Sequence, residues 1–372
     1  MDNQLKIYLD NVVFKIQKFG GASTYWKELL SNFIKMDNVN LIFQIKDKSE
    51  LNDDGLYIYN RLTEKNNVIM ENKLPASLLR YLPLTKRIPA NSIYHNSYYR
   101  TCLQSNVVNI FTIHDFTHKR GYASKFPRKM VHIGLTYLGL RNADGIICIS
   151  ENTKRDLMLF YPQIPEDKIT VIYHGVSNDF HPIKRRFNLF RNKLSLTEPF
   201  VLFVGKRQGY KKFDIVPEAV KEIENLKLVI IGGGKLNENE EKYLDDVLPE
   251  RYYKFDDVSN AELNELYNHA YSLIYTSIYE GFGIPLLEAM KAGCPVIANK
   301  LSSLPEVAGD SALLIDVIGS QQIAEMLRML KDKNLRDGLI AKGFEQCTKF
   351  TWEKCFYKTY SFYKTIYNKK FK

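Results

Sequence analysis

The sequence predicts an α/β protein of two domains, each built on a parallel β-sheet. Short apolar runs alternate with segments of helical periodicity along most of the chain, which is typical of strands joined by crossover helices. The pattern restarts at 200–205, an apolar run that ends in a glycine. A length of 372 residues is enough for two such domains, each with its own hydrophobic core.

In the first half, a predicted strand at 5–9 leads into the glycine pair Gly20-Gly21 and a helix at 22–36. Further apolar runs predict strands at 40–44, 91–95, 107–114, 145–150 and 169–173. The stretch after the last of these strands has neither the apolar run of a strand nor the periodicity of a helix. We therefore expect a first domain at 1–178 and a linker at 179–198.

The second half repeats the alternation and then ends in a separate helix. Apolar runs predict strands at 200–205, 226–232, 272–275 and 295–298. These strands define a second domain at 199–350. The last segment, 351–372, predicts a helix whose aromatic side chains recur every three or four positions. We interpret this aromatic stripe as a packing surface.

Composition excludes several classes of protein. The chain is 45% hydrophobic and 25% charged, which is ordinary for a globular protein, and no apolar run is long enough to span a bilayer. The first residues carry no secretion-signal pattern. The five cysteines are scattered without metal-ligand spacing. These features favour a cytoplasmic protein with reduced thiols and no bound metal.

The positive charge is concentrated in one segment. The net charge is +10, and residues 73–132 carry ten Lys or Arg but a single acid, Asp115. Aromatic residues are interleaved with these cations. Such a segment fits an anionic membrane face, a nucleic acid, or a solvated basic surface. No nucleic-acid-binding motif accompanies it, so we expect no nucleic-acid partner.

Two carboxylates flank a glycine turn in the second half. Glu280 and Glu288 lie eight positions apart, and Gly293 follows the last helical position. The residues between the carboxylates begin with Gly281, Phe282, Gly283, Ile284, Pro285 and Leu286. Proline suits the first turn of a helix, so Glu280 should lie in a loop and Glu288 one turn into a helix. A helix start binds phosphate and carboxylates accept hydroxyl hydrogen bonds, a combination suited to a nucleotide sugar.

Two cations follow the apolar run at 200–205. Arg207 and Lys211 lie four positions apart at the predicted carboxyl end of a strand, where ligands collect in open α/β sheets. They could neutralise a diphosphate and the charge that develops as it departs, or they could form a solvated basic loop. A glycine run at 232–234 predicts a tight turn or a surface beside a nucleobase, without the spacing of a nicotinamide site.

Two further candidates lie in the first half. His114 closes the predicted strand 107–114, so it is a candidate pocket residue at a carboxyl end. Gly21 follows the first strand, where a glycine allows close approach of a ligand to the backbone.

In this order and spacing, the motifs resemble those of glycosyltransferase family 4, whose members are retaining enzymes of the GT-B fold. The resemblance covers nearly the whole chain and is closest to mannosyltransferase-like members that build bacterial O-antigen and capsule. The matching stretches are 20–25, 112–115, 149–154, 174–176, 205–211, 277–293, 304–307 and the helix from Trp352. The position after Lys211 and the position before Gly175 are often Asn in the family, whereas Lys212 and His174 stand here.

The resemblance implies two Rossmann-like domains that face a central cleft, with the last helix crossing back to the first domain. It implies that Arg207 and Lys211 clasp the donor diphosphate, that Glu288 binds ribose hydroxyls, and that the backbone from Phe282 to Leu286 holds phosphate and sugar. It further implies that Glu280 contacts the transferred sugar, while His114 and Gly21 complete the pocket. Such enzymes use no metal and no cofactor beyond the nucleotide diphosphate sugar.

The expected reaction is therefore transfer of a hexose, with mannose favoured, to a saccharide acceptor with retention of anomeric configuration. We expect front-face attack, in which the departing phosphate takes the acceptor proton; a nucleophilic role for Glu280 is the alternative. The acceptor is expected to be lipid-linked, and the segment 73–132 is expected to dock on the inner face of the membrane. The alternative classes are a sugar-nucleotide epimerase or hydrolase, and a non-catalytic binding protein in polysaccharide assembly.

Overall fold

Two parallel β-sheets organise the chain, one in each of two structural units. The computed structural model describes residues 5–17, 20–64, 67–71, 75–123, 125–184, 189–191, 194–207 and 209–371. Met1–Gly175 and Trp352–Lys372 make up the first unit, and Val176–Thr351 makes up the second. The predicted α/β class, with a parallel sheet in each half of the chain, is confirmed.

The first unit contains a sheet of seven strands within its described residues, paired in parallel in the order β3-β2-β1-β4-β5-β6-β7. The strands are β1 (Lys6–Asp10), β2 (Val39–Phe43), β3 (Asn67–Met70), β4 (Ser92–His95), β5 (Val107–Ile113), β6 (Gly145–Cys148) and β7 (Ile169–Val171). Every residue of β5 is buried, as in a parallel sheet covered on both faces. The carboxyl ends of β1, β4 and β5 lie at one edge of this sheet.

Crossover helices connect these strands. They are α1 (Val13–Ile16), α2 (Gly21–Phe33), α3 (Asp53–Tyr59), α4 (Ala76–Leu79), α5 (Thr117–Arg120), α6 (Arg128–Asn142) and α7 (Glu151–Phe160), with short 3-10 helices at Lys48–Glu50 and Glu166–Lys168. Helix α2 buries Trp26, Leu29, Leu30 and Phe33 at spacings of three and four, which explains its helical pattern. It begins directly after Gly20. The backbone conformation of Gly20 (φ 151, ψ 161) is one that essentially only glycine adopts.

The second unit has a six-stranded parallel sheet among its described residues, in the order β12-β11-β10-β13-β14-β15, and a small antiparallel pair, β8-β9. The strands are β8 (Leu189–Phe190), β9 (Leu194–Ser195), β10 (Phe200–Val204), β11 (Lys227–Ile231), β12 (Tyr252–Phe255), β13 (Ser272–Tyr275), β14 (Val296–Asn299) and β15 (Leu313–Ile315). The helices are α8 (Ile215–Lys221), α9 (Glu238–Val247), α10 (Asn260–His269), α11 (Ile284–Ala292), α12 (Leu304–Ala308), α13 (Ser320–Met329) and α14 (Lys333–Cys347), with a 3-10 helix at Gly209–Lys211.

The last helix, α15 (Trp352–Phe371), belongs to the first unit. Its aromatic stripe packs against α2, where the Phe33 ring lies 5.0 Å from the Phe356 ring and stacks on the Tyr363 ring at 5.6 Å. The residues 179–198, predicted as a linker, lie in the second unit and include the β8-β9 pair. Residues 185–188 and 192–193 of that segment lie outside the described residues.

Candidate functional site

The glycine turn and the helix after it take the predicted form. Helix α11 begins at Ile284, with Pro285 in its first turn, between the left-handed residues Gly283 (φ 107) and Gly293 (φ 83). A Cβ on Gly283 would lie 2.9 Å from Leu304 Cδ2, so a larger residue would force the Leu304 side chain or the turn to shift. Within the described residues, no side chain caps the start of α11. Its first N–H groups are therefore suited to binding an anion.

The other predicted turn residues offer their backbone rather than their side chains. Phe282 and Leu286 are buried, and the Phe282 ring packs edge-on against Phe350 at 5.7 Å. Gly281 is buried as well, whereas Ile284 and Pro285 are half-buried. The side chains anchor the turn in the core, which leaves peptide groups to face a ligand.

Two serines that the sequence analysis missed hold the Glu280 loop in place. The Glu280 backbone N–H donates to Ser302 Oγ at 2.8 Å. Ser303 Oγ lies 3.0 Å from the Glu280 carbonyl oxygen and 2.8 Å from the Phe282 carbonyl oxygen. Both serines precede α12, far along the chain, so no local pattern linked them to the loop.

Lys211 and Glu280 form an ion pair through Lys211 Nζ and Glu280 Oε1. Their side chains are 12% and 16% exposed. Lys211 Nζ also lies 5.3 Å from the ring centres of both Tyr210 and Tyr275. Burial and the nearby Glu280 carboxylate raise the pKa of Tyr275 well above its usual value, so its hydroxyl stays protonated. The pair is thus enclosed by aromatic side chains and largely shielded from solvent.

Hydrogen bonds fix the backbone that carries Lys211. Thr276 Oγ1 donates to the Lys211 carbonyl oxygen at 2.7 Å, and the Ile278 N–H donates to the Tyr210 carbonyl oxygen at 2.9 Å. Thr276 follows β13 directly, so the 3-10 helix of Lys211 is tied to the sheet edge that carries Glu280.

Arg207 pairs with a different carboxylate, that of Glu240. Arg207 Nε donates to Glu240 Oε1 at 2.9 Å, and Nη2 lies 3.2 Å from Glu240 Oε2. The guanidinium also donates to the carbonyl oxygens of Gly232 and Lys235, at 3.2 and 3.0 Å. The Arg207 side chain is only 5% exposed. Arg207 therefore binds the glycine turn after β11 to the start of α9.

Glu240 was also missed by the sequence analysis. It is the fourth residue of a capping box, in which Asn237 Oδ1 accepts from the Glu240 N–H at 3.0 Å and Glu240 Oε2 accepts from the Asn237 N–H at 3.0 Å. An Asn followed three positions later by Glu is a sequence signal for this cap, although it carries no information about Arg207. The Arg207 guanidinium lowers the pKa of Glu240, so the pair is fully charged near neutral pH.

Glu288 lies one turn into α11, as predicted, and its surroundings set its protonation. Tyr267, a buried residue of α10, places its hydroxyl 3.2 Å from Glu288 Oε2. Burial raises the pKa of Glu288 to about 7, and the Tyr267 hydrogen bond offsets part of that effect. A ligand hydroxyl that donates to this carboxylate would favour its ionised form.

The two predicted residues of the first half, His114 and Gly21, lie in the first unit. His114 follows β5 and is half-buried, and its ring meets the Tyr25 ring edge-on at 5.3 Å. Burial lowers the pKa of His114 to about 4, so the imidazole is neutral near pH 7. Gly21 is the first residue of α2.

His174, where the family often has Asn, is part of an aromatic stack. The His174 ring stacks on the Tyr25 ring at 4.7 Å and lies 5.6 Å from the Trp352 ring and 5.9 Å from the His114 ring. His174 is thus a packing neighbour of the predicted pocket residue. The sequence marked this position only as a departure from the family pattern.

Two observations concern the described part of the chain as a whole. It contains no group of three or more His, Cys, Asp or Glu side chains arranged to hold a metal ion. None of its helices is both long and apolar enough to cross a membrane.

Comparisons with known proteins agree with this architecture. A family model described as Glycosyltransferase Family 4 matches residues 19–180, and one described as Glycosyl transferases group 1 matches residues 184–346. HepE of Anabaena, solved in complex with UDP and glucose, is similar in structure with a TM-score of 0.72 and 15% identity, over 96% of this chain and 98% of HepE. At that identity the likeness shows the fold alone.

Two curated relatives are similar in sequence over part of their length. O-antigen chain mannosyltransferase B of Escherichia coli is 41% identical over 110 residues, which is 29% of each chain. The O-antigen chain mannosyltransferase RfbU of Salmonella typhimurium is 28% identical over 209 residues, or 55% of this chain and 56% of that protein. This chain thus aligns with 29% and 56% of the lengths of these relatives.

Proposed function

The chain belongs to glycosyltransferase family 4 of the GT-B fold, and we propose that it transfers a hexose-type sugar from a nucleotide diphosphate sugar to a hydroxyl of a saccharide acceptor. Mannose is the favoured sugar, because two relatives are named O-antigen chain mannosyltransferases. The same names favour a role in the synthesis of a surface polysaccharide, O-antigen or capsule.

One observation carries this proposal: the Lys211–Glu280 ion pair beside the uncapped start of α11. An ammonium and a set of helix-start N–H groups together attract a diphosphate. The Glu280 carboxylate, in the loop before α11, is available to hydroxyls of the transferred sugar. The Glu288 carboxylate, one turn into α11, is available to hydroxyls of the ribose. These cationic and anionic groups match in kind the phosphates and hydroxyls of a nucleotide diphosphate sugar.

The same arrangement supports transfer with retention of configuration and without a metal. When the bond between the anomeric carbon and the diphosphate oxygen breaks, negative charge develops on the diphosphate, and Lys211 and the α11 N–H groups stabilise it. Glu280 is held by Lys211, which makes it a weak nucleophile. This favours front-face attack, in which the bond from the acceptor oxygen forms as the departing phosphate takes the acceptor proton.

Arg207 reaches the diphosphate, in this proposal, by giving up Glu240. The two N–H groups that now point at the Glu240 carboxylate form a fork suited to phosphate oxygens. The remaining bonds to the glycine turn keep the guanidinium in place during this exchange.

We propose that the first unit docks on anionic membrane through a surface along α6 and the residues just before it, where a lipid-linked acceptor would lie. Phe126 is 82% exposed, Met130 56% and Leu138 50%, and the cations Lys125 and Lys129 accompany them. Exposed apolar side chains beside lysines fit an interface of lipid headgroups and acyl chains. We call these five residues the α6 surface.

Two of the ten cations in the segment 73–132 cannot be assigned to a basic surface. Arg100 is 1% exposed and bonds to Asp10 Oδ2 and Glu71 Oε2 at 2.7 Å each, so its charge is neutralised in the core. Lys73 lies outside the described residues. Arg100 therefore cannot contribute to a basic surface of this segment, because a charge count does not distinguish a buried ion pair from a solvated cation.

Flotation with liposomes tests the membrane proposal. Phe126→Ser should lower recovery with anionic vesicles, because it removes the most exposed ring of the α6 surface. Val317→Ser is the matched control, since Val317 is 72% exposed in the second unit. Equal recovery of wild-type protein with neutral and anionic vesicles, or an equal loss in both variants, would contradict docking through this surface.

A thermal-shift panel of GDP, UDP, dTDP and ADP sugars tests the donor proposal. A ligand that binds the folded state alone raises its stability in proportion to saturation, so one nucleotide class should raise Tm more than the others. Lys211→Ala should abolish that increase. No increase with any sugar nucleotide would contradict the proposed function.

A further inference from the structure

The small β8-β9 hairpin of the second unit packs against the loop that follows β12. We call residues 256–258 the β12 loop. The buried ring of Phe190, at the end of β8, meets the ring of Phe255, the last residue of β12, edge-on at 5.0 Å. Arg191 follows Phe190 directly. A segment of the chain that carried no recognisable pattern is thus joined to the end of a sheet strand.

Hydrogen bonds from Arg191 fix the backbone of the β12 loop. Arg191 Nη1 donates to the Asp256 carbonyl oxygen at 3.0 Å, and Nη2 donates to the Asp257 carbonyl oxygen at 2.9 Å. Nε and Nη2 also donate to Glu262 Oε1 and Oε2, at 2.7 and 2.9 Å. Glu262 belongs to the capping box of α10, where its Oε2 accepts from the Ser259 N–H at 2.9 Å. One guanidinium therefore holds the chain between the end of β12 and the start of α10.

The backbone at this contact is held in an uncommon conformation. Arg191 has φ 46 and Asp257 has φ 50, which are left-handed values that residues other than glycine seldom adopt. Such conformations persist where surrounding contacts hold them, and they concentrate at functional sites. The two residues that meet through the guanidinium are thus the two that the contact has to hold in place.

The β12 loop lies at the carboxyl edge of the second sheet, beside the glycine turn after β11. The last residues of β10, β11 and β12 pair in one register, Val204 with Ile231 and Ile231 with Phe255. The Gly232 N–H donates to the Phe255 carbonyl oxygen at 3.0 Å, while Arg207 donates to the Gly232 carbonyl oxygen at 3.2 Å. Two arginines thus brace neighbouring loops at the edge where ligands of α/β sheets bind.

The Arg191 bonds also set the direction in which the β12 loop presents its donors. In a trans peptide the C=O and the N–H point in opposite directions. Because the carbonyl oxygens of Asp256 and Asp257 point toward Arg191, the N–H groups of Asp257 and Val258 point away from the hairpin. Backbone N–H groups bind acceptor atoms such as those on the edge of a nucleobase.

We infer that Arg191 is a positioning residue for donor binding, which holds the β12 loop so that its N–H groups meet the nucleobase. The inference rests on the proposed function, in which Arg207 and Lys211 take the diphosphate just after β10. The attached nucleoside then lies at the neighbouring ends of β11 and β12, where the glycine turn allows close approach. Because Arg191 orders the loop beforehand, nucleotide binding does not have to order it.

Calorimetry of the full chain with GDP, UDP, dTDP, ADP and inorganic pyrophosphate tests this role. Arg191→Met should weaken the nucleoside diphosphate that binds the wild-type protein about tenfold, the cost of ordering a loop on binding, and leave the affinity for pyrophosphate unchanged. Arg251→Met is the matched control, because Arg251 lies at the other end of β12 and donates to the Ile223 and Lys221 carbonyl oxygens at 2.9 and 3.3 Å. Unchanged nucleotide affinity in Arg191→Met, or an equal loss in both variants, would overturn the inference.

Hydrogen exchange measured by mass spectrometry separates this inference from the proposed function. Without nucleotide, peptides that cover the β12 loop should exchange faster in Arg191→Met than in wild-type protein, and unchanged rates would overturn the positioning role. Bound nucleotide should protect these peptides in wild-type protein. Protection confined to other loops, or an equal loss of pyrophosphate affinity in Arg191→Met, would overturn the nucleobase assignment. If none of the four nucleotides binds wild-type protein, the proposed function fails, while exchange without nucleotide still decides whether Arg191 holds the loop.

Discussion

Replacing Lys211 by Met keeps most of the side-chain stem between Tyr210 and Tyr275 but removes the ammonium. The Glu280 carboxylate, 16% exposed, then loses its ion-pair partner. Removing one partner of a fully buried pair costs about 3–5 kcal/mol. Because solvent reaches this pair in part, we expect Lys211→Met to lower the free energy of unfolding by about 1–2 kcal/mol. Loss of one group that stabilises the departing charge should lower kcat about 100- to 1,000-fold.

The double variant Lys211→Met/Glu280→Gln separates these two effects. It has no unpaired carboxylate, so urea unfolding should show most of the lost stability restored, whereas kcat should stay low. Lys206→Met, at an exposed lysine on the same loop, is the control and should keep wild-type turnover. Recovery of turnover in the double variant would refute the reasoning, because Lys211 would then act only by neutralising Glu280.

Three further predictions concern the same unit. Glu240→Gln should tighten donor binding in calorimetry, because Gln keeps the helix cap but competes less for the Arg207 guanidinium. The control Glu238→Gln should leave the affinity unchanged. Unchanged affinity in both variants would mean that Arg207 only holds the glycine turn and does not bind the donor. Burial raises the pKa of Glu288 from 4.5 to about 7. The unfolded chain therefore ionises this carboxyl group more readily than the folded protein, and the free energy of unfolding falls as the pH rises through that range. Glu288→Gln should therefore gain stability over wild type between about pH 5 and about pH 8 in urea unfolding, by at most about 3 kcal/mol, while binding donor more weakly; a pH-independent difference would contradict the raised pKa. Transfer activity should survive EDTA dialysis, and loss that Mg²⁺ or Mn²⁺ restores would contradict metal-independent transfer.

The central strands and the Glu280–Glu288 element could be predicted because their signals are local. Glycine and proline mark the ends of α11 within ten residues, and the central strands are continuous apolar runs. The strands β3, β12 and β15 were missed, because they are short and only partly buried at or near the sheet edges. An edge strand needs no continuous apolar run, so its sequence resembles that of a loop.

The side-chain partners of the candidate site could not be predicted, because they depend on contacts across the sheet. Arg207 and Lys211 were predicted to clasp one diphosphate, and no sequence signal indicated that Arg207 bonds to Glu240, 33 positions along the chain. The Ser302 contact to Glu280 spans 22 positions. Charge and spacing identify which residues can bind a phosphate, whereas tertiary packing decides which protein groups they contact without a ligand.

The most direct test of sugar transfer is proton NMR of a reaction that contains the purified protein, its nucleotide diphosphate hexose and a saccharide acceptor. We predict one nucleoside diphosphate released for each new glycosidic linkage, with the anomeric configuration of the donor, and no donor breakdown when the acceptor is omitted. Free sugar or an epimer formed without acceptor, or a linkage of inverted configuration, would contradict retaining glycosyl transfer by this chain.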